Sequence, residues 1–316
     1  MGDHSPAVWL GFTGLVLALL ILDLGVLNRR SHVLSFREAI SWSGGLVTIA
    51  LLFGLFVLWQ EGTQPALEYY TGYLIELSLS VDNLFVFLLI FSYFGVKAEA
   101  QPKVLKWGIL GAIVMRMIMI ALGALLLQRF NWIIYVFGAV LVVTGFRMFT
   151  QKDGDIINLE HNPVVRLARR LLPMDKAYDG TRFFTRTVDG RLLATPLLLV
   201  VLVVEWADLV FAIDSIPAIF AITRDPFLVY SSNIFAILGL RALFFVLAGM
   251  LDKFVYLKPG VAVILVFVGI KMTLSAWVHI PTAVSLAVVI LTLAAAVGLS
   301  IWRSSRDIRQ PAEADR

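Results

Sequence analysis

The chain has 316 residues, of which 59% are hydrophobic and only 15% charged, with a mean hydropathy of +0.88; a soluble domain carries roughly 25% charged residues, so the composition excludes one and indicates an integral membrane protein. There is no cysteine, which excludes disulfides, thiolate metal sites and cysteine nucleophiles and leaves hard oxygens or histidine as metal ligands. The net charge of +4 is explained by membrane topology, as argued below, and calls for no nucleic acid.

A hydrocarbon core about 30 Å thick takes roughly 20 apolar residues per helix. Runs of that kind predict an all-α fold of nine transmembrane helices, near residues 7–28, 42–60, 70–94, 107–127, 131–150, 195–222, 229–250, 259–278 and 282–302. No Lys or Arg precedes the first run, so it reads as a retained helix and not as a cleaved leader. Asp23, near its end and followed by Asn28, Arg29 and Arg30, is read as a cation ligand, a gate residue or part of a polar helix-end cluster. The third helix holds GYLIELSLSVDNLFVFLLI, residues 72–90, which places Glu76 and Asp82 in otherwise lipid-soluble sequence. The sixth repeats the pattern in WADLVFAIDSIPAIFAI, residues 206–222, with Asp208 and Asp214. Between them, residues 151–194 carry both signs of charge and several turn signals, so they read as a linker with one short amphipathic helix around Val164 to Leu172. The chain closes on a polar tail, residues 304–316, expected to be disordered.

Lys and Arg accumulate in cytoplasmic loops. Of the 26 in the chain, 20 fall in the loops after helices one, three, five and seven and in the C-terminal tail, whereas the opposite side has only Arg129 and Arg224. That asymmetry predicts an N-terminus outside and a C-terminus in the cytoplasm. Most tryptophans lie near helix ends, as an interfacial belt requires; Trp206 is the exception.

The two halves resemble each other. Aligning Asp82-Asn83 with Asp214-Ser215 places Glu76 on Asp208, and Arg116, Gly145 and Arg147 echo Arg241, Gly269 and Lys271. The expected units are residues 1–61 with helices one and two, 62–150 as a first three-helix repeat, 151–194 as the linker, 195–280 as a second repeat, 281–303 as the ninth helix and 304–316 as the tail. Three helices is an odd number, so the second repeat enters the membrane from the opposite side. Inverted repeats of this kind are a common plan of secondary transporters, with the substrate site where the copies face each other near the midplane.

An uncompensated carboxylate near the bilayer centre costs on the order of 3 kcal/mol. Four of them must therefore face each other, water, a cation or a base, or be protonated. At about 100° per residue, Glu76, Ser80 and Asn83 form one stripe and Glu205, Asp208 and Ser215 another. Asp82 and Asp214 are rotated away by roughly 120° on an ideal helix, and local unwinding would be needed to bring them round. Pro217 supplies a cause in the second half by removing the bond to the carbonyl of Ile213; the first half has no such proline. Acids, an amide and hydroxyls without a thiol form a donor set suited to manganese(II), magnesium or calcium. The four histidines, His4, His32, His161 and His279, lie in loops or at helix ends without paired spacing, which disfavours zinc. Glu205 is balanced between ligand and structural roles, its aligned partner being Tyr73. Arg116, Arg147, Arg241 and Lys271 read as counter-ions or gates.

The segments ELSLSVDNLFVF and VEWADLVFAIDSIPAIFAIT resemble the two signature segments of the TerC family, and the RRSHVLSFREA loop resembles its Alx-like branch. The resemblance implies a bacterial cytoplasmic-membrane protein, grouped with tellurite resistance and, in that branch, with manganese export. Carried over by position, the family's acidic motif falls on Glu76, Asp82, Asn83, Glu205, Asp208, Asp214 and Ser215. The resulting expectation is a non-enzymatic, alternating-access exporter with manganese(II) as cargo, proton coupling left open, lipid as its surroundings and no organic cofactor. Two competitors stand beside it. One is an intramembrane aspartyl protease, for which the GxGD setting is missing at both Asp82 and Asp214. The other is a structural or sensory membrane protein whose acids serve as internal ion pairs.

Overall fold

The computed structural model describes residues 5–26, 35–130, 132–150, 163–175, 177–186, 191–248, 256–275, 277–278 and 280–309. These form ten α-helices and one two-stranded hairpin: α1 (Pro6–Leu20) continuing into a π-helical turn (Ile21–Val26), α2 (Phe36–Glu61), α3 (Thr63–Tyr93), α4 (Gln101–Arg129), α5 (Ile133–Thr150), α6 (Pro163–Leu171), β1 (Phe184–Arg186), β2 (Leu192–Ala194), α7 (Pro196–Phe220), α8 (Pro226–Ala248), α9 (Leu257–Thr273) and α10 (Thr282–Arg309). Among the described residues, α1, α2, α3, α4, α7, α8 and α10 are long and apolar enough to cross a membrane, and α5 is a shorter apolar helix. The protein is thus an all-α membrane protein.

Local chemistry sets the helix ends. Ser35 caps α2 through a reciprocal box: the Glu38 amide donates to Ser35 Oγ at 3.4 Å, and the Ser35 amide donates to Glu38 Oε2 at 2.9 Å. Gly62, at φ 92°, separates α2 from α3 with a single residue, a backbone conformation that a Cβ would disfavour. Asp225 opens α8 by accepting from the amide of Phe227 at 2.8 Å. Prolines start α1, α4 and α7, where their missing N–H costs nothing.

Helix α8 lies at the centre. It is buried almost throughout, from Phe227 to Leu247, and α3 is the next most enclosed, whereas α1, α2, α4 and α10 present most of their apolar surface outward. A helix that is apolar on all sides belongs inside a bundle. An aromatic cluster of Trp9, Phe12, Phe53, Tyr69, Phe227 and Phe235, with ring centroids 5.1–6.5 Å apart, ties α1, α2 and α3 to α8.

Small residues fix three crossings. Helices α4 and α7 run parallel, with Gly108 facing Val204 and Gly123 facing Phe220 and Ile216. Helices α3 and α8 also run parallel, Gly72 facing Ser232 at one level and Phe91 meeting Phe244 at another. Helices α5 and α9 are antiparallel and so close that a Cβ on Gly138 would lie 2.9 Å from the Gly269 carbonyl oxygen, and one on Gly145 would lie 2.9 Å from that of Ala262.

Two expectations need adjustment. Helix α7 is unbroken through Pro217, which sits in its last turn, where only the Ile213 carbonyl loses its donor; α3 is likewise continuous through Asp82. The unwinding required to turn Asp214 toward Asp208 is therefore not present. Helix α10 continues to Arg309 instead of ending near 302, so the first residues assigned to a disordered tail are helical; residues 310–316 lie outside the described set. The amphipathic helix expected in the linker is α6, with Val165 and Ala168 buried and Arg166, Arg169 and Arg170 exposed. The rest of the described linker packs against the helix ends. Tyr178 Oη donates to the Phe94 carbonyl at 2.6 Å, Lys103 Nζ donates to that of Thr181 at 2.6 Å, and Lys103 also lies over the Phe183 ring.

Candidate functional site

Glu76 on α3 and Asp208 on α7 point inward at the same depth, and Arg116 on α4 joins them. Its Nη2 donates to Asp208 Oδ1 at 3.1 Å and its Nε to Oδ2 at 3.3 Å, so the guanidinium grips Asp208 through both oxygens; Nη1 donates to Glu76 Oε1 and to Ser215 Oγ at 3.3 Å. All four residues are buried, Arg116 and Glu76 at 0% exposure. One cation faces two carboxylates, which leaves the cluster a formal negative charge away from bulk solvent.

The donors and acceptors around it are not all used. Among the described residues, Glu76 Oε2, Ser80 Oγ and Asn83 Nδ2, on one stripe of α3, are buried without a hydrogen-bond partner. Asn233 on α8 is fully buried with neither its oxygen nor its nitrogen paired. Buried polar atoms are nearly always satisfied, so such a concentration marks a place prepared for water, an ion or a rearrangement.

The other sequence candidates divide. Asp214 stays off this cluster and accepts from Thr144 Oγ1 of α5 at 2.8 Å, with Arg147 acting on it electrostatically. Glu205 lies against Gly111, where any Cβ would collide with its carboxylate, and borders an apolar cavity of about 840 Å³ between α4 and α7 that Trp107 and Phe183 also line. The side chain of Asp82 lies outside the described residues. Asp23, on the π-helical turn, receives Arg241 Nη2 at 2.5 Å on Oδ1 and at 3.3 Å on its carbonyl, together with Trp42 Nε1 at 2.7 Å on Oδ1. A single-turn π segment is a frequent way to re-aim a functional side chain. Lys271 donates to Ser285 Oγ of α10 at 2.8 Å. Among the described side chains no three His, Asp or Glu are placed to hold a metal ion together.

Sequence reasoning did not single out Thr144, Trp42 or Asn233. Only Asn233 carries a readable signal, standing in the polar triplet Ser231-Ser232-Asn233 of an otherwise apolar helix. Thr144 and Trp42 match lipid-facing or interfacial residues in composition, and only the packing gives them a role.

A bundle of apolar helices around a buried, charge-bearing cluster defines a multi-pass helical membrane protein with an intramembrane polar site. The chain belongs to the TerC family of integral membrane proteins, whose description matches residues 61–308. It is 50% identical over 312 residues to the uncharacterized membrane protein STKORF319 of Myxococcus xanthus, covering 99% of this chain and 97% of that one. It is 47% identical over 315 residues to a protein of Escherichia coli (strain K12) named as a candidate membrane-bound redox modulator, Alx, covering 97% and 98% of the two chains. A membrane protein of Rickettsia bellii is 41% identical over 304 residues, 96% and 99% of the respective lengths. No solved structure matches.

Proposed function

We propose that the protein exports a divalent cation, manganese(II) foremost, across a bacterial cytoplasmic membrane by alternating access, as a transporter and not an enzyme, and without an organic cofactor. The observation that carries the reading is that acids from the two halves of the chain, Glu76 and Asp208, converge in the membrane on one cation, the Arg116 guanidinium. A buried pair of carboxylates that holds a tethered cation is chemically suited to exchange it for a mobile one. The unsatisfied Glu76 Oε2 and Ser80 Oγ supply hard oxygen chemistry for that exchange, and the unpaired Asn83 Nδ2 on the same stripe is a donor suited to a carboxylate or a water.

On this reading the two three-helix units, α3 to α5 and α7 to α9, form an inverted repeat, and the N-terminus faces outward with the C-terminus in the cytoplasm. The parallel α4–α7 and α3–α8 crossings and the antiparallel α5–α9 crossing are what such a repeat requires. Cargo entering from the cytoplasm displaces Arg116 from Glu76 and Asp208 and leaves outward as one unit rocks against the other. Arg116 then returns and keeps the empty site from holding two bare charges. Asp82, Asp214, Glu205 and Ser215 serve as further ligands in states with other helix orientations. Protons are the candidate counter-substrate, since a carboxylate that gives up a metal ion can take a proton in its place.

A second reading has its own observation. Arg116 already engages both acids, and no group of three acids is assembled among the described side chains, which suits a static internal ion pair. The deciding experiment is manganese accumulation in inside-out vesicles that contain wild-type protein, Glu76→Gln, Asp208→Asn, Asp82→Asn or Asp214→Asn at equal membrane levels. Uptake by the wild type that is lost in the acid variants supports export through this site. Vesicles that all match empty ones, across several metals and pH gradients, leave the static ion pair.

A further inference from the structure

The two arginines that the halves of the sequence align stand in unlike surroundings. Arg116 reaches α3 and α7 together, whereas Arg241, its counterpart on α8, reaches Asp23 beyond α1. The helix packing obeys the alignment more closely than the charges do. Helix α4 stands parallel to α7 with Gly108 facing Val204, as α8 stands parallel to α3 with Ser232, one residue before the position aligned with Gly108, facing Gly72. The pairs Gly138 with Gly269 and Gly145 with Ala262 are exchanged by it. The partner of the bond from Arg116 to Asp208 would thus be a bond from Arg241 to Glu76. That bond is absent. Glu76 Oε2 and Arg241 Nε are both buried without a partner among the described residues, and each has the chemistry the other lacks.

We propose that Arg241 is a second counter-cation for the Glu76 and Asp208 carboxylates, held off them in this state by Asp23, which acts as a positioning residue through Arg241. The inference rests on reading those acids as a site that cargo and guanidinium occupy in turn. In the alternate state Arg241 leaves Asp23 and donates to Glu76 while Arg116 withdraws, so each half of the molecule closes the empty site from its own side. The carboxylate, carbonyl and Trp42 bonds at Asp23 come from outside the repeated units. They break an otherwise even balance between the two states, and the N-terminal helices thereby set which one prevails at rest.

The test is thermal unfolding of the purified full-length protein in detergent, as wild type, Arg116→Gln, Asp23→Asn and the double variant. Once freed from Asp23, Arg241 takes over the acids, so the double variant melts above Arg116→Gln alone, and the gain vanishes when Arg241→Gln is added. Asp23→Glu, which keeps the charge, gives no such gain. If Asp23 is only a structural partner, the two losses add and the double variant melts lowest, which overturns the proposal. Should Arg116→Gln not survive purification, its membrane level relative to the double variant reads the same comparison. Manganese flux, measured separately, distinguishes the two readings: melting recovery without wild-type flux keeps the arginine exchange and removes the transport reading, and flux with additive melting losses does the reverse.

Discussion

Arg116 carries the balance of charge for two carboxylates, and the consequences of removing each member differ. Loss of the arginine leaves two buried negative groups with no cation, which places Arg116→Gln near the 3 to 5 kcal/mol expected for breaking a buried ion pair. Asp208→Asn should be milder, because the guanidinium keeps Glu76 and the net charge of the cluster falls toward zero. Equilibrium denaturation in detergent should rank them in that order, and equal losses would contradict it. At Asp214 the partner is a hydroxyl, so Thr144→Val leaves a half-buried carboxylate without its 2.8 Å donor, a loss of at most roughly 1.5 to 3 kcal/mol for a bond to a charged group; Thr144→Ser restores it. The acids themselves stand out in the sequence because their insertion penalty is large. Their partners do not, since Arg116 lies 40 residues from Glu76 and 92 from Asp208, and no local pattern encodes which cation folds back onto which acid.

Element boundaries follow local chemistry: the predicted spans agree with α5 and α7 to within two residues, whereas α2, α3 and α4 begin six, seven and six residues before the runs expected for them, because the Ser35 cap, Gly62 and Pro102 and not hydropathy set those starts. The exceptions have physical causes. The strands β1 and β2 are three residues each, too short for any period to register, and α10 outruns its apolar stretch because helix propagation continues easily into polar sequence once nucleated. Ser35→Ala should remove the capping box of α2 and lower stability by about 1 kcal/mol, read as earlier melting with unchanged metal flux. The linker makes a pH-dependent contact. Burial pushes the Tyr178 phenol above its ordinary value, so the folded state favours the neutral form that donates to Phe94. The contact is fully present below the unfolded value near 10 and is lost as pH rises through the higher folded one. Limited proteolysis of the linker should therefore accelerate only in strongly alkaline solution, and Tyr178→Phe should abolish that pH dependence.

At the scale of the whole molecule, α8 is the axis around which the other helices are arranged, and the α5–α9 crossing is the tightest approach. Gly138→Leu forces a side chain onto the Gly269 carbonyl, where neither backbone can yield without separating the helices. The expected outcome is a protein that inserts into the membrane but melts well below wild type, with Gly239→Ala as the control, since a Cβ there meets only Leu243 at 3.8 Å. That buried acids need partners inside the bundle was legible in the acidic segments; that Arg116 joins Glu76 to Asp208 was not, because the sequence alignment treats Arg116 and Arg241 as equals. The bond between Asp23 and Arg241 also bears on how the chain is made. Its partners are separated by 218 residues, and at a synthesis rate of roughly 5 to 20 residues per second Asp23 waits for about 10 to 40 s before its arginine leaves the ribosome. During that interval Asp23 has Trp42 as a donor but lacks the Arg241 guanidinium, and the arrival of α8 completes its bonds, fastening the earliest part of the chain to one of the last.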